Sequence, residues 1–400
     1  MIYQMKEKEI VIAPNAFKES LSPFEVADIL EASFREVFND TIHLQKVPLA
    51  DGGDGTLDVI LSATGGFKKF YEVMGPLPHT KVKAPVGFFL EGKAKVAVIE
   101  MANAAGLKLI PQEQRDPTKT TTFGVGQLLL EALKENPQKI ILTLGGSATV
   151  DGGTGILHAL GFQFLDGEGK TIFPTGGDLL RIKSIVVPSG EKLKPLRKAE
   201  LIVCVDVNNP LLGERGAARV YGPQKGASPE QVEILETGLS NLAEITRNLI
   251  GEDVGALKGG GAAGGIGAFL HAFLKARIEN GFDLVSSLVK LEEKISRADL
   301  VITGEGKLDR QTLNGKVPFR VMKIARKYGI PAVAVGGAFG EGAEELVDEG
   351  FAMIWPACTS PMPLREALER AGELLFQSGK ILAREIQTLF KERLQSKGTP

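Results

Sequence analysis

The sequence predicts a doubly wound α/β protein of two domains, one inserted into the other. Three observations carry this. At both ends of the chain, short apolar runs that read as buried strands alternate with amphipathic helical stretches, the rhythm of a parallel sheet with crossover helices. In the middle the rhythm changes: 67–73, 81–89 and 94–100 read as strands, the last two joined by the turn Glu91-Gly92-Lys93, which makes an antiparallel excursion. Finally, 400 residues exceed what most single cores hold. The expected division is 1–75 plus 290–400 for the discontinuous domain and 76–289 for the insertion.

Each element has its own signal. Glu9-Ile-Val-Ile-Ala-Pro14 is a buried strand, and Ser22-Pro23-Phe24-Glu25 opens a helix with Ser as cap, Pro in the first turn and Glu three places after the cap. Val26, Ile29, Leu30 and Phe34 give that helix its apolar face. A strand over 41–47 follows, and Asp51-Gly-Gly-Asp-Gly-Thr56 turns it into a helix over 57–63. Beyond the antiparallel stretch come a helix over 118–134, a buried strand over 139–144 and a helix from about 155. Residues 161–166 and 170–173 flank the turn Gly167-Glu168-Gly169, and 200–207 is another buried strand. Ser228-Pro229-Glu230-Gln231 starts a long helix to about 249, and a glycine run opens a helix over 266–278. The parallel rhythm returns with strands over 299–303, 331–335 and 352–355 and helices over 317–328, 342–348 and 364–390.

Composition narrows the class. Apolar residues make up 43% and charged residues 24%, as in a globular protein. A net charge of −2 gives no general attraction to nucleic acid or anionic membrane, so any phosphate binding must come from local sites. Cys204 and Cys358 lie apart in apolar surroundings, and His43, His79, His158 and His271 show no metal-ligand spacing, which argues against a disulfide framework or a zinc site. The charged N-terminus runs straight into a strand, and neither a signal peptide nor a membrane span is visible, so the expected location is cytoplasmic.

The 48 glycines exceed the usual share of roughly 7%, and they gather in five loops between a strand or loop and a helix. These are Asp51–Thr56, Gly145-Gly-Ser-Ala-Thr-Val-Asp-Gly-Gly-Thr-Gly155, Tyr221-Gly-Pro-Gln-Lys-Gly226, Gly259-Gly-Gly-Ala-Ala-Gly-Gly-Ile-Gly267 and Thr303-Gly-Glu-Gly-Lys-Leu-Asp309. Glycine lets a backbone approach a ligand, and the helix starts behind it present free N–H groups. Acidic residues among them suit a cation, so the pattern favours a metal-bound, multiply charged anion such as a nucleotide. Asp51 and Asp151 can ligate Mg²⁺ or simply cap the helix that follows, with Asp54 the better cap. Gly259, Gly261 and Gly264 make a poor dinucleotide fingerprint, because no strand precedes them; they suit a phosphate cradle or close helix packing. The 303–309 loop follows a buried strand, where ligands of open α/β sheets bind, and brings Glu305 and Asp309, with Thr312 and Lys316 at the next helix start. Lys18 follows the first strand; Asp206, Asn208 and Asn209 end a later one; Arg215 and Lys225 lie in the glycine-rich stretch beyond it. No Walker P-loop, protein-kinase motif set or nucleophile elbow is present.

These stretches, together with Ala13-Pro-Asn-Ala-Phe-Lys-Glu-Ser-Leu21 and the run Thr303–Thr312 with Gly315-Lys316, resemble the bacterial glycerate kinases of the glycerate 2-kinase family, in order and over most of the chain. The resemblance implies ATP-dependent phosphorylation of D-glycerate to 2-phosphoglycerate. It also implies a flavodoxin-like parallel-sheet domain built from both termini, an inserted α/β domain with a mixed sheet, and a site in the inter-domain cleft. ATP and Mg²⁺ are the implied cofactors. The expected partners are small molecules, with no nucleic acid, no membrane, and either a monomer or a homodimer.

On that basis Lys18, Asp51, Asp206 and Glu305 are the candidate catalytic residues, with Asp51 and Glu305 also the candidate Mg²⁺ ligands. Arg215, Asn208, Lys225 and Asp309 are candidates for glycerate. Gly145, Gly146, Ser147, Thr149, Gly264, Gly265, Thr312 and Lys316 are candidates for phosphate. Three other readings compete: a kinase for a related hydroxy acid or one making 3-phosphoglycerate, a non-catalytic nucleotide-binding regulator, and a dehydrogenase, which the weak fingerprint disfavours.

Overall fold

A computed structural model describes residues 8–39 and 41–396; the charged stretch over 1–7 lies outside them. The strands are β1 (Lys8–Pro14), β2 (Ile42–Lys46), β3 (Phe67–Met74), β4 (Lys81–Glu91), β5 (Ala94–Glu100), β6 (Lys139–Thr143), β7 (Gln163–Leu165), β8 (Thr171–Ile172), β9 (Ser184–Val186), β10 (Glu200–Val205), β11 (Arg277–Asn280), β12 (Leu300–Leu308), β13 (Ala332–Phe339) and β14 (Met353–Pro356). The chain divides into two compact units, 1–50 with 285–400, and 51–284. The expected first boundary was near 75. The division falls earlier because the helix Thr56–Thr64 packs on the second unit's sheet, where a Cβ on Gly87 of β4 would strike Leu57 and Leu61.

The unit formed by both ends carries a five-stranded sheet in the order β14-β13-β12-β1-β2, every pairing parallel. Counted within the unit, that is second-first-third-fourth-fifth, the flavodoxin order. Ile10, Ile12, Leu300, Ile302, Val333 and Val335 fill its core with Val26, Leu30 and Phe34 of the helix Pro23–Phe38. That helix starts as the Ser-Pro-x-Glu signal requires: Glu25 N–H donates to Ser22 Oγ at 3.2 Å and Ser22 N–H to Glu25 Oε2 at 2.7 Å. The C-terminal helix Ala371–Ser396 lies against it, with Phe390 6.4 Å from Phe38 and no room for a side chain at Gly379 beside Ser33.

The unit 51–284 holds a six-stranded mixed sheet in the order β11-β10-β6-β5-β4-β3. β5, β6, β10 and β11 run parallel, while β3, β4 and β5 form the expected antiparallel excursion. A small antiparallel sheet, β8-β7-β9, sits beside it in the same unit. Two expectations are corrected here. The helix expected over 118–134 spans Phe123–Lys134, and Thr120, Thr121 and Thr122 form a buried loop before it. The helix expected to run to 278 ends at Leu274, where Lys275 turns left-handed at φ 56°, and Arg277–Asn280 pairs with β10 as an edge strand. No helix among the described residues is long and apolar enough to cross a membrane.

Candidate active site

In the first unit, β1 and β12 are neighbours at the point where the strand order reverses, which is where open α/β sheets bind ligands. Lys18 sits on the loop leaving β1, and Glu305 sits within β12 itself, which runs on to Leu308 beside β13, so most of the stretch expected as a loop over 303–309 is strand. The loop and the strand run close together: a Cβ on Gly306 would lie 3.2 Å from the Lys18 nitrogen and 3.4 Å from Phe17 Cα. Lys18 is exposed on a loop closed by Phe17 N–H to Leu21 O at 2.9 Å. Glu305 is nearly buried and accepts the Thr312 hydroxyl at 2.7 Å. Asp309 caps the short helix Arg310–Asn314, taking Gln311 N–H at 3.0 Å while Thr312 Oγ1 receives Asp309 N–H at 3.2 Å.

Lys316 Nζ stands 3.6 Å from both Glu305 Oε1 and Asp309 Oδ1, and Lys307 Nζ is 3.1 Å from Asp309 Oδ2. Burial pushes the Asp309 carboxyl upward, but the Lys307 hydrogen bond, the charges of Lys316 and Lys307 and the Gln311 N–H outweigh it and hold it below the usual range. Four of the expected residues, Glu305, Asp309, Thr312 and Lys316, thus form one hydrogen-bonded and ion-paired cluster. Two carboxylates aimed at one ammonium make a donor set that fits Mg²⁺, which takes one or two carboxylates and fills its shell with phosphate and water. Among the described residues no three His, Cys, Asp or Glu side chains gather into an all-protein cage.

In the second unit the expected residues gather at the carboxyl ends of the parallel neighbours β6 and β10. A cavity of about 110 Å³ there is lined by Gly145, Gly146, Ser147, Asp206, Tyr221 and Lys225, among others. Lys225 is 2% exposed, and its ammonium donates to Ser147 Oγ at 2.8 Å and Thr149 O at 2.7 Å, both uncharged. Burial therefore drives its pKa down to about 7, against the upward pull of the Asp151 charge. Thr149 Oγ1 is buried without a hydrogen-bond partner. The Tyr221 hydroxyl donates to Asn209 Oδ1 at 2.8 Å, and its pKa rises to about 12 through burial and the nearby Asp206. Arg215 and Asn208 are exposed. Asn209 Nδ2 holds the Arg215 carbonyl at 2.8 Å.

The glycines in these loops serve backbone-to-backbone approach. Gly145 N–H donates to Gly52 O at 3.0 Å, and a Cβ on Gly145 would clash with the backbone of Gly53. This contact brings the Asp51 loop beside the Gly145 loop. Asp51 is half-buried, and its Oδ1 accepts Gly53 N–H at 3.3 Å. Ala263, Gly264 and Gly265 are three consecutive left-handed residues, at φ 53°, 76° and 98°. Gly152 N–H donates to Gly264 O at 3.0 Å, and a Cβ on Gly264 would strike Thr149 O. Gly264 and Gly265 are accordingly the bed on which the 149–152 backbone rests, the close-packing role weighed against the phosphate cradle.

Asp151 is wholly buried and accepts Thr122 N–H at 2.8 Å, the Thr122 hydroxyl at 2.7 Å, Gly153 N–H at 3.1 Å and Gly155 N–H at 3.3 Å. It ties the far end of the glycine loop to the 120–122 loop and takes Gly155 N–H in the first turn of the helix Thr154–Ala159, whose N-cap is Gly153, so it supports that helix start from before the cap and lacks a metal ligand's exposure. Asp54 was expected to cap the next helix. It pairs instead with Lys108 at 2.6 Å, and the helix Thr56–Thr64 has Gly55 at its N-cap. The carboxylate that serves the helix start is Glu100, at the end of β5, which takes Gly55 N–H at 3.2 Å and Leu57 N–H at 3.0 Å. Its only signal in sequence is an acidic residue closing an otherwise apolar strand.

Burial raises Glu100 from 4.5 to about 6, against the two backbone N–H bonds. The folded protein then binds this proton more tightly than the unfolded chain. Stability from this group is complete below pH 4.5 and is lost as the pH rises through 6, by about 2 kcal/mol. In denaturant titrations, the stability of wild type minus that of a Glu100→Gln variant is expected to slope downward by about that amount as the pH rises from 4.5 through 6. A flat difference would show that Glu100 is not held in this way.

A model of the Glycerate kinase family matches residues 10–387. The glycerate kinase of Halalkalibacterium halodurans is 43% identical over 375 residues, covering 94% of this chain and 97% of that protein. The glycerate 2-kinase of Escherichia coli K12 is 42% identical over 376 residues, with coverage of 94% and 97%. A crystal structure from Salmonella typhimurium LT2, described as a glycerate kinase 2, shares 40% identity at a TM-score of 0.81, covering 96% of this chain and 100% of that one. The match spans both units and every glycine-rich loop described above. The chain belongs to the glycerate kinase family and is a kinase.

Proposed function

We propose that the protein transfers the terminal phosphoryl group of ATP to the 2-hydroxyl of D-glycerate, releasing ADP and 2-phosphoglycerate. The observation that carries this reading is the cluster of Glu305, Asp309, Thr312 and Lys316 at the reversal point of a flavodoxin-ordered sheet. Two acids and a lysine there suit a metal-bound polyphosphate. The Escherichia coli relative's name, glycerate 2-kinase, supports the choice of hydroxyl.

Phosphoryl transfer asks a protein for positioning and charge neutralisation. Mg²⁺ bound with the nucleotide would supply charge neutralisation on the phosphates; Glu305 is the acid assigned to it in the first unit, and Asp51 is the separate candidate acid in the second. Lys18 and Lys316 are assigned to phosphate charge in the first unit, with Thr312 beside them. In the second unit Gly146 and Ser147 offer backbone and hydroxyl groups to phosphate oxygens in the cavity that Gly145 also lines, Thr149 holds the Lys225 ammonium through its carbonyl, and Gly264 and Gly265 support that loop. Arg215 grips the glycerate carboxylate through its forked guanidinium. Asn208, Lys225 and Asp309 contribute polar contacts, and Asp206 or Asp51 accepts the hydroxyl proton as a weak base.

The test is a coupled assay with D-glycerate, ATP and Mg²⁺. Phosphoenolpyruvate formed on adding enolase alone supports 2-phosphoglycerate as the product. A signal that needs phosphoglycerate mutase as well assigns the 3-hydroxyl instead. No ADP from D-glycerate, with turnover of another hydroxy acid, moves the substrate.

A further inference from the structure

We propose that the outer edge of β3 is a homodimer interface, on which β3 of a second copy pairs antiparallel in a register centred on Phe70. β3 borders the six-stranded sheet and is eight residues long, against five for β2 and four each for β11 and β14 at the other large-sheet edges. A long edge strand offers a row of unpaired backbone groups and is a template for another strand unless it is blunted. Its exposed residues are two aromatic ones, Phe67 at 57% and Phe70 at 54% accessible, and two charged ones, Lys69 and Glu72.

The ladder with β4 settles which backbone groups face outward. Gly75 N–H donates to Thr80 O at 2.9 Å, so that pair is a hydrogen-bonded one. By alternation along the register, Val73, Tyr71, Lys69 and Phe67 direct their N–H and C=O groups inward to β4. Met74, Glu72, Phe70 and Lys68 therefore direct theirs away from the sheet. An independent contact agrees: Met74 N–H donates to the Gln127 side chain at 2.7 Å, so the edge is already closed at Met74. The outward groups left for a partner belong to Lys68, Phe70 and Glu72.

Three alternating residues of this kind define one self-complementary register. With a two-fold axis at Phe70, Phe70 faces its own copy, and Lys68 faces Glu72 of the second chain, twice by symmetry. Outward groups then meet outward groups along the whole stretch. A shift by two residues leaves one end unpaired or collides with the Gln127 cap at Met74, and a shift by one sets inward groups against outward ones. The charges agree with the register that the backbone selects, since opposite charges directly across a strand pair stabilise it. Lys68 and Glu72 now form exposed intrachain pairs with Asp58 and Lys81, which cost little to exchange or share.

Sedimentation equilibrium on the full chain tests this. The wild type is expected to show a species of twice 42.8 kDa whose share grows with concentration. Phe70→Pro removes an outward N–H without touching the β4 ladder, a place where edge strands accept proline, and is expected to be monomeric with unchanged kinase activity. Lys68→Glu and Glu72→Lys, each alone, set like charges across the axis twice and are expected to weaken the dimer about tenfold or more. The Lys68→Glu/Glu72→Lys double variant is expected to recover it. A wild type that stays at the monomer mass from micromolar to near-millimolar concentration overturns the proposal, as does a dimer indifferent to both single charge reversals. If Phe70→Pro does not fold, the charge series decides alone.

Discussion

A Lys225→Met variant is expected to lose about 10² to 10³ in kcat/KM, the usual cost of removing one preorganised donor from a phosphoryl or oxyanion site, while unfolding no more easily than wild type. The two halves of that result come from one fact, the burial of an ammonium among uncharged acceptors. For stability, the folded pKa of about 7 lies far below 10.5. Between those values the folded protein holds fewer protons than the unfolded chain, so this group's contribution improves as the pH rises from 7 to 10.5, and at pH 7 and below the charged form is a burden on the fold. Methionine removes the burden but leaves Ser147 Oγ and Thr149 O without their donor, at roughly 1–3 kcal/mol each where they stay dry, and the two effects oppose each other.

For activity, an incoming anion is what would repay the buried charge. Lys225 lines the same cavity as Gly145, Gly146 and Ser147. Wild-type kcat/KM should fall as the pH rises through about 7, because free enzyme loses the ammonium there. The corresponding limb in kcat should lie at higher pH, since a bound anion favours the charged form. The Met variant should lack the limb in kcat/KM. If instead it keeps near-normal kcat/KM and unfolds early, Lys225 is a peg for the glycine loop and has no part in turnover.

How much of this was legible beforehand varies with the range of the interaction. The capping box at Ser22 is written within four residues, and both of its hydrogen bonds are present. The return of strand–helix alternation after 298 told which parts of the chain share a sheet, and the resemblance to glycerate kinases supplied its flavodoxin order. Failures came where a distant partner decides. Asp54 has the sequence position of a cap, yet Glu100, 45 residues from Gly55, takes the N–H groups. Nothing in Asp51–Thr56 signals that. Arg277–Asn280 is too short and too polar to announce a strand, and it is one only because β10 lies beside it.

The candidate sites divide in the same way. Strand-end positions could be read from the pattern, so the gathering of Glu305, Asp309, Thr312 and Lys316 at the end of one strand and the helix starts after it was foreseeable, although the strand runs on past Glu305 to Leu308. The burial of Lys225, in a stretch that reads as a surface turn, was not. It depends on Ser147 and Thr149, more than seventy residues away. Glycine content misleads in a related way. At Gly264 and Gly265 it serves packing against the 149–152 backbone, which a sequence cannot tell apart from room left for a phosphate.

The companion expectation concerns Glu305. A Glu305→Gln variant should turn over about 10² or more slower and need more Mg²⁺ to reach half its maximal rate, with its unfolding curve little changed. Glutamine is close in shape and keeps an oxygen for the Thr312 hydroxyl, so the local structure survives. What it loses is a charge, in a cluster where Lys316 is shared between two carboxylates. Asp309 provides the control. Its carboxyl is held below the usual range, and its Oδ1 also accepts Gln311 N–H as the cap of Arg310–Asn314. Asp309→Asn can preserve that cap while removing the same unit of charge. Should charge at the cluster alone matter, the two variants will fall together. Should direct ligation by Glu305 matter, Glu305→Gln will shift the Mg²⁺ dependence more than Asp309→Asn does. Equal and near-normal turnover in both would take this cluster out of the mechanism and leave the second unit's loops to carry the phosphate chemistry.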